Sequence, residues 1–218
     1  MTETFAHTKS ALKQAFAARG IRPNKRLSQN FLIDPNLLRF VVKTAELTPN
    51  DVVLEIGSGP GNLTSLLADA AGAVCAVELD RKLYQFASEH LAQRLNVRLL
   101  HADILKSRTQ IEPQVLETVS SLLAERPGGA TKVVSNLPYS VSTPVIMALL
   151  GLPLPIRMLV LTVQKEIAER LTATPATPQY SLLGVVVQAQ AEVEVVRILP
   201  PEVFWPAPEV ESAVLRIL

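Results

Sequence analysis

The chain has 218 residues, 48% of them hydrophobic, and a formal net charge of +1, enough apolar material for one sizeable α/β core and one main domain. No apolar run approaches the roughly 18 residues of a membrane span, so a soluble protein without a membrane partner is expected. The single cysteine, Cys75, excludes an internal disulfide, and with His7, His90 and His101 scattered along the chain no metal-ligand spacing exists.

Charge is unevenly spread. Residues 1–50 hold eight Lys/Arg against three Asp/Glu, the remainder thirteen against seventeen, and no acid stands between Glu3 and Asp34. A basic, acid-poor arm fits a phosphate-contacting surface, a solvated helix face or an organelle-targeting segment. Gln29-Asn30-Phe31-Leu32 reads as a structured docking element and favours the first. The chain therefore divides into an arm, residues 1–50, and an α/β domain, residues 51–218.

Within the arm, Leu12 and Phe16 fall on one face of a short helix ending at Gly20, and Arg22-Pro23-Asn24-Lys25-Arg26 reads as an exposed basic turn. Asp34 as cap and Pro35 at the first position open a second helix over 35–46. Apolar runs then predict buried strands at 52–56, 73–77, 97–100, 132–135 and 158–163. Amphipathic stretches predict helices at 63–70, 82–95, 115–124, 143–150 and 165–171. This alternation implies a parallel sheet covered on both faces, with ligands bound outside the carboxyl ends of its strands. Cys75, inside the second strand, is expected to pack as a small core residue. Residues 172–178 form a Thr/Pro-rich loop. After Ser181 come one more apolar helix and two extended stretches, 192–199 and 212–218, predicted to pair as a hairpin on the sheet edge across the stiff loop Phe204-Trp205-Pro206-Ala207-Pro208.

Two motifs carry chemistry. Gly57, Gly59 and Gly61 stand between a strand and a helix, where missing side chains allow a tight turn and close approach to a ligand. Asn62 occupies the place of the last small residue in a dinucleotide fingerprint, which disfavours a nicotinamide cofactor. Carboxylates mark the strand ends: Glu55, Glu78 about 20 residues after the turn, where a ribose diol would be held, and Asp103, placed to accept from an adenine amine. The glycine loop has no Lys or Arg to balance a phosphate. S-adenosylmethionine, with ribose, adenine and a cationic sulfonium, fits this set, although ordinary helix caps would also place acids there.

The second motif is Asn136-Leu137-Pro138-Tyr139, at the end of the fourth strand. The Asn136 amide oxygen and the Leu137 or Pro138 carbonyl can accept from an exocyclic amine. Tyr139 can stack on the base and Phe204 can close its other face, at about 1–3 kcal/mol per contact. A purely structural alternative makes this a strand-ending turn, with Thr143 capping and Pro144 opening the next helix, and Phe204 and Trp205 core residues.

Taken together, Gly20-Ile21-Arg22-Pro23, Leu27-Ser28-Gln29-Asn30-Phe31-Leu32, the glycine turn, Glu78, Asp103, Asn136-Leu137-Pro138-Tyr139, Phe204-Trp205-Pro206-Ala207-Pro208 and Ser212-Ala213-Val214 closely resemble the ribosomal RNA adenine N6-dimethyltransferases of the small-subunit type. The resemblance covers nearly the whole chain. It implies a Rossmann-like, class I S-adenosylmethionine-dependent methyltransferase fold with a mostly parallel seven-stranded sheet, acting as a cytoplasmic monomer. It implies that Asn30, Leu32, Gly57, Glu78, Asp103 and Asn136 line the S-adenosylmethionine site, that Gln29 supports a lid formed by the arm, and that no metal takes part. The implied reaction is two successive methylations on each of two adjacent adenines near the 3′ end of small-subunit rRNA, in the assembling subunit. Ser28 departs from the glycine often found there, a mild change unless the position needs positive φ. The sequence also stops at Leu218, without the small helical C-terminal domain with which the family usually grips the ribosomal particle. Rival readings are the related large-subunit rRNA dimethyltransferases that confer antibiotic resistance, a non-catalytic nucleic-acid-binding relative and a small-molecule methyltransferase. Leu137, where the large-subunit branch commonly has Ile, and residues 20–23 lean against the first of these. The intact motifs lean against the second, and the basic arm against the third.

Overall fold

A computed structural model describes residues 9–152 and 154–218; Glu3 and His7 lie outside it. In chain order, α1 (Lys9–Ala18) leads through a 3-10 turn (Lys25–Leu27) and β1 (Phe31–Leu32) to α2 (Pro35–Thr44). Next come β2 (Val52–Ile56), α3 (Asn62–Ala70), β3 (Ala73–Glu78), α4 (Arg81–Leu91), β4 (Val97–His101), β5 (Leu105–Ser107), β6 (Gln110–Ile111), α5 (Pro113–Ala124) and β7 (Thr131–Asn136). The chain closes with α6 (Ser142–Leu150), β8 (Ile156–Gln164), α7 (Lys165–Thr172), α8 (Leu182–Gln188), β9 (Val193–Leu199), β10 (Phe204–Trp205) and β11 (Ser212–Ile217).

Among the described residues seven strands make the main sheet, in the order β4-β3-β2-β7-β8-β11-β9. The first five are parallel, and β11 runs antiparallel to both β8 and β9, which is the expected hairpin at the sheet edge. Every residue of β2 and β3 is buried. That two-sided burial is why these strands read as unbroken apolar runs rather than alternating ones. Cys75 is fully buried as expected, and burial pushes its thiol pKa up to about 12.

The site's place follows from this order. The chain leaves β2 toward β3 on one side and β7 toward β8 on the other, so a crevice opens between their carboxyl ends. Backbone pairing of β2 with β7 is confined to residues 52–54 against 131–133; further along, the Ser135 hydroxyl bridges to the Ile56 carbonyl. At the opposite edge Lys132 Nζ and Asp51 form a buried pair, 3.0 Å apart, and Lys132 also donates to the Ala45 and Glu46 carbonyls.

The arm is part of the fold. Leu12, Phe16 and Ile21 share an apolar cluster with Phe31, Leu83 and Phe86, and Phe16 meets Phe31 and Phe86 edge-on at 5.6 and 5.3 Å. Lys13 and Arg19 lie over the rings of Trp205 and Phe86, so part of the arm's charge is engaged in packing. As predicted, Asp34 caps α2, accepting from the Asn36 and Leu37 amides ahead of Pro35. Leu37, Leu38 and Val41 of α2 and Ala45 just after it join Val53, Leu67 and Val160 in one core.

Four expectations need correction. Phe204 does not face a ligand: it is fully buried among Leu32, Leu38 and Val160. β1 and β10 pair with Leu32 opposite Phe204 and Phe31 opposite Trp205, and neighbours along a strand point to opposite faces, so Leu32 and Phe204 go to the core while Phe31 and Trp205 go to the aromatic cluster. Thr143 is not a cap, because α6 begins at Ser142 with Val141 before it. The helix expected over 82–95 ends at Leu91, since the Asn96 amide donates to the Ala68 and Ala71 carbonyls and the intervening residues turn to reach it. The β5–β6 hairpin lies where no strand was expected.

Candidate active site

A cleft of about 820 Å³ lies at the carboxyl ends of β2, β3, β4 and β7, roofed by residues 27–31 of the arm. Gln29, Asn30, Gly57, Gly59, Glu78, Asp103, Asn136, Pro138 and Tyr139 line it. Leu32 and Glu55 instead border an adjoining pocket of about 330 Å³ beneath the glycine turn, which shares Gly57, Gly59 and Asn136 with the cleft. Gly61 lines neither space. It precedes α3 in the left-handed region, with Leu91 packed against its open side.

The glycine turn is shaped by its surroundings. The Gly57 and Ser58 amides both donate to the Val77 carbonyl. Gly57 has φ +76°, and a Cβ there would come within 3.1 Å of the Pro138 ring, so glycine is what lets the two motifs touch. The Gly59 amide donates to Glu78 Oε2 at 2.7 Å, and Glu78 Oε1 accepts from the Asp80 amide at 2.8 Å. Burial raises the Glu78 pKa against the lowering by these amides. Asp103 is exposed, with Oδ1 held by the Leu105 amide.

At Asn136, Nδ2 donates to the Asn30 carbonyl at 2.8 Å, while Oδ1 is buried and has no partner. A buried acceptor left unpaired costs about 1–3 kcal/mol, and because Asn136 lines both spaces it is a candidate ligand contact. The Pro138 carbonyl is occupied by the Val141 amide and the Ser142 hydroxyl, which leaves the Leu137 carbonyl as the second acceptor. Tyr139 is anchored by its hydroxyl, 2.6 Å from Ser212 Oγ on β11, and burial raises its pKa. The aromatic rings on the cleft wall are Tyr139 and Phe31.

The residues around the smaller pocket carry buried polar atoms without partners, Ser58 Oγ and both amide atoms of Asn62, and beside them stands the buried Glu55 carboxyl with the Thr64 hydroxyl near it. Ser58 and Asn62 escaped the sequence reading, where Asn62 counted only as a misfit to a dinucleotide motif. Burial pushes the Glu55 carboxyl up to about 8, with the neighbouring Glu78 charge adding to the rise. Between 4.5 and about 8 the folded protein therefore binds a proton that the unfolded chain releases. This contribution to stability is fully present below the lower value and lost as pH rises through the upper. Glu55→Gln is expected to flatten that fall, read as urea-unfolding free energies across the same range; an unchanged pH dependence would place the proton elsewhere.

Ser28 occupies a position that does need positive φ: it sits in the left-handed region, φ 50° and ψ 40°. Such a conformation costs a non-glycine residue about 1–2 kcal/mol, offset in part by the about 0.5–1 kcal/mol of backbone entropy that glycine loses on folding. Ser28→Gly is expected to leave thermal stability equal or slightly raised, and Ser28→Val to lower it.

Among the described residues no Lys or Arg lines the cleft, and its two carboxylates make it an acceptor-rich space. That suits a cationic ligand with ribose and adenine and without phosphate; the unpaired Asn136 oxygen and the close Gly57 backbone fit S-adenosylmethionine. Exposed cations stand close in the chain to two of its lining segments instead. Arg22, Lys25 and Arg26 are exposed beside Leu27, and Lys106 and Arg108 are exposed on the hairpin after Asp103.

Residues 20–218 match the family model for ribosomal RNA adenine dimethylases. The chain belongs to that family. It is 41% identical over 201 residues to the ribosomal RNA small subunit methyltransferase A of Lysinibacillus sphaericus, covering 91% of this chain and 65% of that one. The protein of the same description from Moorella thermoacetica is 44% identical over 200 residues, covering 91% and 68%. The chain thus spans about two thirds of the length of these relatives. Among solved structures, a dimethyladenosine transferase from Plasmodium falciparum superposes with a TM-score of 0.71 at 26% identity, over 85% of this chain and 62% of that one. The 23S rRNA methyltransferase ErmE gives 0.69 at 30% identity, over 86% and 69%. The seven-stranded, mostly parallel sheet is the methyltransferase fold that these structures share.

Proposed function

We propose that this chain dimethylates the N6 amines of two adjacent adenines near the 3′ end of small-subunit rRNA during subunit assembly, with S-adenosylmethionine as donor. The observation that carries the reading is the buried, unpaired Asn136 Oδ1 at the meeting point of the two spaces. The small-subunit relatives named above, at 41–44% identity, support the choice of RNA.

When bound, S-adenosylmethionine supplies an electrophilic methyl carbon. Glu78 would hold the ribose hydroxyls, Asp103 the adenine amine, and Gly57 and Gly59 would let the donor lie against the backbone. Asn30 and Leu32, with Glu55 beyond them, would bound the amino-acid end, and Gln29 would support the lid. Gly61 serves the turn rather than the ligand.

Adenine N6 is a poor nucleophile because its lone pair is delocalised into the ring. Asn136 Oδ1 and the Leu137 carbonyl, accepting its two hydrogens, would favour a pyramidal nitrogen and aim the lone pair, and such positioning is worth orders of magnitude in rate. Pro138 fixes the carbonyl's direction. Tyr139, pinned through Ser212, offers its ring to the extruded base, and the arm over the cleft excludes water. No general base has to act first, since the proton can leave after transfer. The exposed cations close in the chain to the lining segments suit phosphates, which position RNA without reading its sequence. The cleft is complete within one chain, in keeping with a cytoplasmic enzyme that works as a monomer on an RNA partner.

The test offers labelled donor to unmethylated small subunits, large subunits and naked RNAs, and maps the modified bases. Paired dimethyladenines in small subunits are expected. Label in large subunits would support the antibiotic-resistance type of activity, and donor binding without transfer a nucleic-acid-binding relative.

A further inference from the structure

Beside the β1–β10 pairing and the aromatic packing, two side-chain hydrogen bonds tie residues 29–30 of the arm to the cleft, and one of them runs to a residue outside both motifs. At the first, the Asn30 carbonyl accepts from Asn136 Nδ2. At the second, Gln29 Nε2 donates to Asp80 Oδ2 at 3.1 Å, while Gln29 Oε1 accepts from the Asn24 amide at 2.7 Å.

Asp80 does more than cap α4. Its Oδ1 accepts from the Lys82 and Leu83 amides, at 2.9 and 3.3 Å. Its Oδ2 is left for Gln29, and its own amide donates to Glu78 Oε1 at 2.8 Å. One residue thus joins the buried carboxylate of the cleft to the segment that carries Asn30. The orientation of Asn136 depends on that segment. A primary amide presents an acceptor on one side and donors on the other, and turned around it would set its N–H groups against the hydrogens of an incoming amine. The Asn30 carbonyl selects the productive orientation, provided the arm stays in place. Ser28 sits in the left-handed region two residues before Asn30, with its amide held by the Lys25 carbonyl.

We propose that Asp80 is a positioning residue for methyl transfer: through Gln29 it holds the arm where the Asn30 carbonyl keeps the Asn136 oxygen toward the substrate amine. The proposal rests on the function put forward above.

The test is an exchange of polarity. Asp80→Asn keeps an oxygen for the α4 cap but sets an amide N–H against Gln29 Nε2, and Gln29→Glu sets a carboxylate against Asp80. Together the two substitutions restore one donor and one acceptor in reversed roles, and the introduced carboxylate still accepts from the Asn24 amide. The measurements are donor affinity by calorimetry, single-turnover methyl transfer to RNA, and hydrogen exchange at residues 29–32. Each single variant is expected to slow transfer about tenfold, the scale of one hydrogen bond, with donor affinity within about threefold and faster exchange in the arm. The double variant should recover most of the rate and the protection, a coupling of the kind double-mutant cycles isolate. A double variant no faster than the slower single overturns the proposal, as do unchanged exchange and parallel losses of rate and donor affinity. If the parent chain binds donor and methylates no RNA, the function above fails instead; the exchange measurement still decides whether Asp80 holds the arm.

Discussion

Asn136→Ala is expected to slow methyl transfer by about 10²–10³-fold, the scale seen when one preorganised hydrogen-bonding group is removed from a transition state, while donor affinity changes little. The asymmetry comes from where the side chain's two ends go. Nδ2 is spent on the Asn30 carbonyl, and Oδ1 alone is unpaired at the cleft wall, so truncation removes an acceptor whose partner arrives with the substrate amine. Alanine also removes the hydrogen bond that ties the arm's Asn30 carbonyl to the cleft. Any part of that loss that reaches the donor shows in binding as well as in rate, and it is expected to stay within about threefold, as for the Asp80 and Gln29 variants. Calorimetry with the donor beside labelled-methyl incorporation separates the two effects. Equal losses in both would assign Asn136 to the donor and withdraw it from the amine.

The sequence carried the layout of the cleft further than its details. Strands buried on both faces announce themselves as apolar runs, and residues just past such runs must lie at the sheet's carboxyl edge. Glu78, Asp103 and Asn136 were placed together on that ground alone, and each lines one cleft. Details failed where the determining partner is remote in sequence. Glu55 and Leu32 are close to the glycine turn, yet whether they face the cleft or the smaller pocket depends on how the crevice divides. Asp80 reads as an ordinary helix cap, and its second oxygen acquires a role only when Gln29, 51 positions earlier, is brought over it. The β5–β6 hairpin is three residues against two, too short to display a two-residue period. Of the two carbonyls offered for the amine, the choice fell to the start of α6, whose Ser142 hydroxyl joins the Val141 amide on Pro138.

Phe204 brings the same lesson to an experiment. As a stacking residue it would lose turnover on truncation and little else. As the fully buried core residue that the β1–β10 ribbon makes it, Phe204→Ala is expected to cost about 3–5 kcal/mol of stability. Against a total of about 5–15 kcal/mol for a typical domain, such a loss would depress activity through unfolding alone, so the alanine variant cannot distinguish the roles by turnover. Phe204→Leu can. It keeps most of the buried volume, and volume-conserving apolar exchanges cost less than about 1.5 kcal/mol. Urea unfolding should show a large shift for alanine and a small one for leucine, and transfer per folded molecule should be unchanged for leucine. A base clamp would instead lose about 1–3 kcal/mol of stacking with the aromatic ring, so a leucine variant that is stable and slow would return Phe204 to the cleft.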